Sequence, residues 1–87
     1  MTVTQRVARD EPRPGGRVRR AFEVLAVNAK SVPATVEIRH DRAGETGFAV
    51  IAQSAPHGDK AGDPLWRLTL RPGAEQTLTY TVEYVRP

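Results

Sequence analysis

Hydrophobic and polar residues alternate along much of this chain, with the period of two that half-buried β-strands require. The pattern is clearest in the last third, on both sides of an Arg71-Pro72-Gly73 turn. The apolar positions are Trp66, Leu68 and Leu70 before the turn and Leu78, Tyr80, Val82 and Tyr84 after it. Threonine fills many of the alternate positions, and its branched side chain favours strands. Both stretches are predicted to be amphipathic strands.

The same period predicts earlier strands over residues 2–9, 17–28 and 34–39, and a short apolar run predicts another over 48–52. Segments rich in Gly, Pro and polar residues separate them. The expected connections are a turn over 10–16, a hairpin connection over 28–33, a polar loop over 40–47 and a long loop over 54–64. The longest of these, 54–64, has no periodicity and is expected to be the most mobile.

The segment 17–28 has apolar residues on both faces. Val18, Phe22, Val24 and Ala26 share one face, and Ala21, Leu25 and Val27 make the other partly apolar. This pattern favours a central strand covered on both sides. A helix is the competing interpretation, although valine is a poor helix former and no capping residue directly precedes the run.

Two turns lead into similar strands. Arg13-Pro14-Gly15 and Arg71-Pro72-Gly73 each precede apolar residues at equal spacing, in the segments 22–27 and 80–85. Each of two packed sheets needs a long apolar strand at its centre, so these segments are predicted to be the two central strands. Coincidence is the alternative, because the match covers few residues.

The alternation also predicts the core. Its members are Phe22, Val24, Val36, Ile38, Trp66, Leu68, Leu70, Leu78, Tyr80 and Val82. A ligand platform formed by Trp66, Tyr80 and Tyr84 is the competing interpretation, but their alternation with aliphatic residues favours the core.

Length and composition limit the organisation of the chain. Its 87 residues support one core, so residues 1–87 are predicted to form a single domain. No apolar run approaches the roughly 20 residues of a membrane helix, and the residues after Met1 do not resemble a secretory leader. The chain has no Cys, which excludes disulfides, a thiolate nucleophile and a Cys-based zinc site.

Positive charge is concentrated at the amino end. Residues 1–20 carry six Arg against Asp10 and Glu11, whereas the rest of the chain is slightly acidic. Candidate contacts to an anion or a partner are Arg13, Arg17, Arg19 and Arg20, because guanidinium groups suit phosphates. A solvated strand edge is the favoured interpretation, since no aromatic residue lies among these arginines and no nucleic-acid motif accompanies them.

Candidate reactive groups are few. His40-Asp41 and His57-Gly58-Asp59 each place a histidine beside a carboxylate, and Ser54 precedes His57 by three residues. None has a third partner at a spacing typical of a metal or hydrolytic site. Both histidines are therefore expected to be solvent-exposed loop side chains. No catalytic residue, metal ligand or cofactor site is predicted.

Strands at short spacing, without a convincing helix, indicate an all-β protein: an immunoglobulin-like or fibronectin-III-like β-sandwich of six to seven antiparallel strands. The segments 22–28, 32–38, 65–73 and 78–84 resemble the carboxy-terminal domain of mucoidy-inhibitor-A-like bacterial proteins. That region is known as a domain of unknown function. The resemblance covers about residues 17–87 and implies a module of a larger bacterial protein in a periplasmic or cell-envelope setting, although the residues themselves leave the compartment open.

These observations predict a non-catalytic module that supports a neighbouring domain or binds a protein through a sheet edge. The alternative is anion or nucleic-acid binding through the arginine-rich stretch. The chain is expected to be monomeric, without a membrane span, a cofactor or a nucleic-acid partner.

Overall fold

The computed structural model describes residues 1–85 and places their strands in two antiparallel sheets. The strands are β1 (Thr2–Arg13), β2 (Arg17–Val27), β3 (Ala34–Arg39), β4 (Thr46–Gln53), β5 (Gly58–Lys60), β6 (Asp63–Leu70) and β7 (Glu75–Val85). The first sheet has the order β1-β2-β7-β4, and the second has the order β3-β6-β5. The predicted all-β class is confirmed. Within residues 1–85, no helix is long and apolar enough to span a membrane.

One cluster of side chains fills the space between the sheets. Cross-strand partners such as Phe22 and Tyr80, or Val24 and Leu78, lie on the same side of the first sheet and are buried. Trp66 of β6 is completely buried and stacks on Tyr80, with ring centroids 4.2 Å apart. Of the predicted core residues, the structure leaves Val36 only partly buried and buries the others. The alternating residues of both sheets therefore meet in a shared core.

The two long apolar strands do not lie at the centres of different sheets, as their similarity predicted. β2 and β7 are neighbours in the first sheet and pair from Arg17↔Val85 to Val27↔Glu75. The centre of the second sheet is β6. The prediction was wrong because a two-residue period reveals which residues face inward, but it carries no information about which strands pair. The outer face of β2 also lacks the predicted cover, since Leu25 is exposed.

β1 is longer than the sequence predicts. It continues from Arg9 to Arg13, and the turn is confined to Pro14–Gly16. Pro12 pairs in register with Val18, which an edge strand permits because a residue without an N–H can face solvent there. Gly15 and Gly16 have φ values of 79° and 73°, a region that glycine enters without steric cost.

The expected hairpin after β2 is replaced by a crossing between sheets, because β3 pairs with β6. Asn28, fully buried, holds this crossing together. Its side-chain amide donates to the carbonyl oxygens of Val32 at 2.9 Å and Leu70 at 3.2 Å, and its Oδ1 accepts from the backbone N–H of Lys30. One side chain thus joins the end of β2 to the second sheet.

The segment 54–64, expected to be a single long loop, contains a strand. β5 covers Gly58–Lys60 and forms a tight hairpin with β6, which begins at Asp63. The three residues of β5 are all exposed, so no alternation of apolar and polar residues marks them. The same tight turn contains Ala61 and Gly62, both with positive φ.

Candidate functional site

Among residues 1–85, β1 offers the longest open sheet edge. Within residues 1–85 it pairs with β2 alone, and its far side has no neighbour over twelve residues. The other edge strands are shorter: β3 has six residues, β5 has three, and β4 is interrupted by two register shifts. β1 has a single shift, between Val7 and Arg9. A long unpaired edge exposes backbone donors and acceptors to which another strand can bind.

Two valines of β1 lie on the inner side of the first sheet but outside its core. Val3 and Val7 are paired in register with Ala26 and Phe22, so all four side chains point the same way. Ala26 and Phe22 are 0% and 9% exposed, whereas Val3 and Val7 are 43% and 49% exposed. The cover supplied by the second sheet therefore ends between β2 and β1. We call Val3 and Val7 the valine pair.

Three arginines of β1 lie on the outer side of the same strand. Arg6, Arg9 and Arg13, which we call the arginine row, are opposite Glu23, Ala21 and Arg17 in the register. Arg6 forms an ion pair with Glu23 at 3.1 Å, and Arg9 forms one with Glu11 at 3.2 Å. Among residues 1–85, no carboxylate lies within ion-pair distance of Arg13. The alternation of β1 thus places Val3 and Val7 on one side of the open edge and the arginine row, together with Glu11, on the other.

The four arginines that the sequence identified do not form one site. Arg13, Arg17 and Arg19 lie on the outer face, and Arg20 lies on the inner face, where it forms an ion pair with Asp10 at 3.1 Å. The density of positive charge along the sequence therefore indicated Arg20, which lies on the other face, and did not indicate Arg6 and Arg9, which share the outer face with Arg13. In β2, odd and even positions face opposite sides of the sheet, so the two-residue period separates Arg17 and Arg19 from Arg20. In β1 the same rule holds once the register shift between Val7 and Arg9 is taken into account.

Glu83 neutralises two of those arginines. Its carboxylate accepts from Arg17 Nε at 2.9 Å and from Arg19 Nη2 at 3.0 Å. The hydrogen bonds from Arg19 lower the pKa of Glu83, and those from Arg17 add to the effect. An incoming phosphate would have to compete with this carboxylate. Arg17, Arg19 and Glu83 therefore form an ion-paired cluster on the sheet surface rather than an open anion site.

His40 is buried, which contradicts its prediction as an exposed loop residue. One ring nitrogen, Nδ1, lies 3.1 Å from the hydroxyl of Tyr80, and Nε2 lies 2.8 Å from Glu45 Oε1. The ring also packs against Phe22 and Phe48, with centroids 5.3 Å away in each case. His40 follows β3 directly and closes the core at that end. The residues that follow His40 in the sequence are mostly polar, so the pattern of hydrophobic and polar positions did not indicate that it is buried.

The Glu45–His40–Tyr80 chain of contacts resembles a catalytic relay in connectivity but not in accessibility. Tyr80 is almost completely buried, and burial raises its pKa to about 12. A tyrosine that acts as a nucleophile or general base needs a lowered pKa and access to substrate. Tyr80 also accepts a hydrogen bond from Gln5 at 3.3 Å. The cluster therefore links β1 to the core through Tyr80.

His57 is exposed, as predicted, and does not pair with Ser54. Its Nδ1 lies 2.8 Å from Gln53 Oε1. The hydroxyl of Ser54 accepts a hydrogen bond from the backbone N–H of Thr79. Within residues 1–85, no group of three or more His, Asp and Glu side chains is close enough to hold a metal ion.

Comparison of the chain with protein-family models, with curated proteins and with solved structures finds no match.

Proposed function

We propose that this chain is a non-catalytic β-sandwich module of a larger bacterial protein and that it binds a protein partner along the open edge of β1. The observation that carries the proposal is the combination of length and exposure in β1. β1 has twelve residues, eleven of which pair with β2 and none with another strand, and all but Glu11 are exposed. Strand addition to such an edge is a common mode of peptide recognition, in which backbone hydrogen bonds supply much of the affinity.

The proposed architecture is a sandwich related to the immunoglobulin fold with one rearrangement. Immunoglobulin constant domains order their strands 1-2-5-4 and 3-6-7. Here β7 takes the place of the fifth strand, and β5 takes that of the seventh. The segments that resemble the mucoidy-inhibitor-A-like family fall mainly on β2, β3, β6 and β7. These are the strands that contribute the core, so the resemblance concerns the scaffold and leaves the β1 edge as the distinctive surface.

Photo-crosslinking tests the proposed edge. A photoreactive residue at Thr4, on β1, should give a discrete adduct in an extract of the source organism. The same residue at Thr69, on the exposed face of β6, should not give that adduct. Val7→Lys should abolish the Thr4 adduct, because a charge on the inner side of an edge strand discourages strand addition.

The matched control is Val32→Lys, which introduces the same charge at an exposed valine in the connection between β2 and β3. It should leave the Thr4 adduct intact. Adducts that survive Val7→Lys, or that form equally from Thr69, would show that partner binding does not use β1.

A further inference from the structure

The chemistry on the two sides of β1 specifies what kind of strand can lie beside it. Side chains of neighbouring strands alternate between the faces of a sheet in step, so an added strand meets the valine pair with one set of residues and the arginine row with the other. Its inner set would cover Val3 and Val7, whose side chains are otherwise exposed to water. Its outer set would lie beside Arg6 and Arg9.

We propose, on the basis of the function proposed above, that the partner of β1 is an extended segment in which apolar residues alternate with Asp or Glu. Arg6 and Arg9 are highly exposed, with 63% and 72% of their side-chain surface accessible. A guanidinium has five donors in a planar fork, so each can keep its present carboxylate and still donate to a second one. An added carboxylate at every second position would meet these free donors.

A second copy of this chain fits the edge less well than such a segment. Antiparallel pairing of two β1 strands, centred on Arg6, would place Arg6 of one copy directly opposite Arg6 of the other. Like charges directly opposite each other destabilise a strand pair. A register centred on Gln5 avoids this clash and unites the valine pairs, but it leaves Arg9 and Arg13 without acidic partners. The exposed arginines therefore favour an acidic partner.

The experiment uses two capped seven-residue peptides, one alternating Val with Glu and one alternating Val with Lys. Each is titrated into the ¹⁵N-labelled protein at low salt while backbone amide shifts are recorded. The Glu peptide should shift the amides of residues 2–9, and its Kd should be at least about tenfold lower than that of the Lys peptide. Added salt should weaken the Glu complex, because the charges lie at an exposed rim.

Charge-reversal variants make the test specific. Arg6→Glu/Arg9→Glu should reverse the preference in favour of the Lys peptide, and Arg6→Gln/Arg9→Gln should make the two peptides bind about equally. The matched control Arg42→Glu/Arg67→Glu changes the same total charge at exposed positions outside β1, and it should retain the preference for the Glu peptide. An unchanged amide spectrum away from the substitutions establishes that each variant is folded.

The outcomes separate this inference from the proposed function. If both peptides shift β1 equally, the edge binds strands, but the acidic partner is wrong. If neither peptide shifts β1, the result counts against strand addition itself and therefore against both proposals. If the protein forms a dimer whose formation protects the β1 amides, a second copy occupies the edge, and the acidic partner is again wrong.

Discussion

At the scale of single residues, a stack of aromatic rings connects the two sheets. Trp66 stacks on Tyr80, and Tyr80 stacks on Phe22, with centroids 4.2 Å and 5.0 Å apart. The indole Nε1 of Trp66 donates to the carbonyl oxygen of Ala55 at 3.0 Å, so its one polar atom is satisfied while the ring is buried. These contacts connect β6 of one sheet to β7 and β2 of the other.

Trp66→Ala should reduce the free energy of unfolding by about 3 to 5 kcal/mol, because it leaves a large cavity and removes the stack. That loss is most of the roughly 5 kcal/mol expected for a domain of this size. Chemical denaturation measures it. The tryptophan emission of the native protein should be that of a buried indole, and red-shifted emission that is freely quenched would contradict the placement.

The stability of the fold should fall as the pH rises from about 10 to about 12. Burial raises the pKa of Tyr80 from 10.0 to about 12. Between these values the unfolded chain releases the hydroxyl proton and the folded chain retains it, so deprotonation favours unfolding. The contribution is fully present below pH 10 and is lost as the pH passes through 12. Denaturation at a series of pH values measures this effect.

Tyr80→Phe is the control for other groups that titrate in the same range. The variant should be less stable than the parent at neutral pH by about 1 kcal/mol, because it loses the hydrogen bonds of the hydroxyl. Its stability should then decline less steeply above pH 10. Parallel declines in the two proteins would show that Tyr80 is not the cause.

At the scale of elements, the first sheet contains an edge strand, β1, and a central strand, β7, which is paired on both sides. β7 lies between β2 and β4 and supplies Leu78, Tyr80 and Val82 to the core. β1 is held by β2 and by the hydrogen bond from Gln5 to Tyr80. Elements with few buried contacts open at lower free energy than the core, so the two strands should differ in stability although they have similar lengths.

Amide hydrogen exchange should therefore be faster in residues 2–8 than in residues 78–84, where protection should approach that of global unfolding. The measurement is made at micromolar concentration, where sedimentation should show a monomer. Equal protection of both segments in a demonstrated monomer would contradict the weak hold on β1. Equal protection in a dimer would identify β1 as the interface.

At the scale of the whole molecule, the excess positive charge is dispersed. The net charge of +3 comes from the amino-terminal hairpin, but its arginines are divided between two faces and several are paired with carboxylates. Strong binding to a polyanion requires several cations that can reach successive phosphates at once. The arginine row keeps free donors, but two of its three cations are already paired with carboxylates, so it would neutralise few phosphates at once.

Titration with DNA, RNA and heparin should therefore show only weak binding. The dependence of the logarithm of the affinity on the logarithm of salt concentration should be shallow, corresponding to about one or two released counterions. Glu83→Gln is the informative variant, because it releases Arg17 and Arg19 and should increase heparin affinity. Tight binding by the parent protein with a steep salt dependence would support the anion-binding alternative instead.

The sequence by itself determined the class of fold and most of the core. A residue such as Val24 or Leu68 lies inside because alternate side chains of a pleated strand point to opposite faces. The hydrophobic effect then favours burial of the apolar face. The same local rule placed Val3 and Val7 on one side of the first strand. It could not detect β5, whose three exposed residues bury nothing.

Tertiary structure alone decided which strands pair, and the candidate site depends on that pairing. The valine pair is exposed only because the second sheet ends beneath β2, and the arginine row is basic only because the register shift near Ala8 keeps Arg6 and Arg9 on one face. His40 shows the same limit, since its burial depends on Tyr80 and Phe48, which lie on other strands. Pairing and cover arise from contacts between residues far apart in the chain, and no local pattern encodes them.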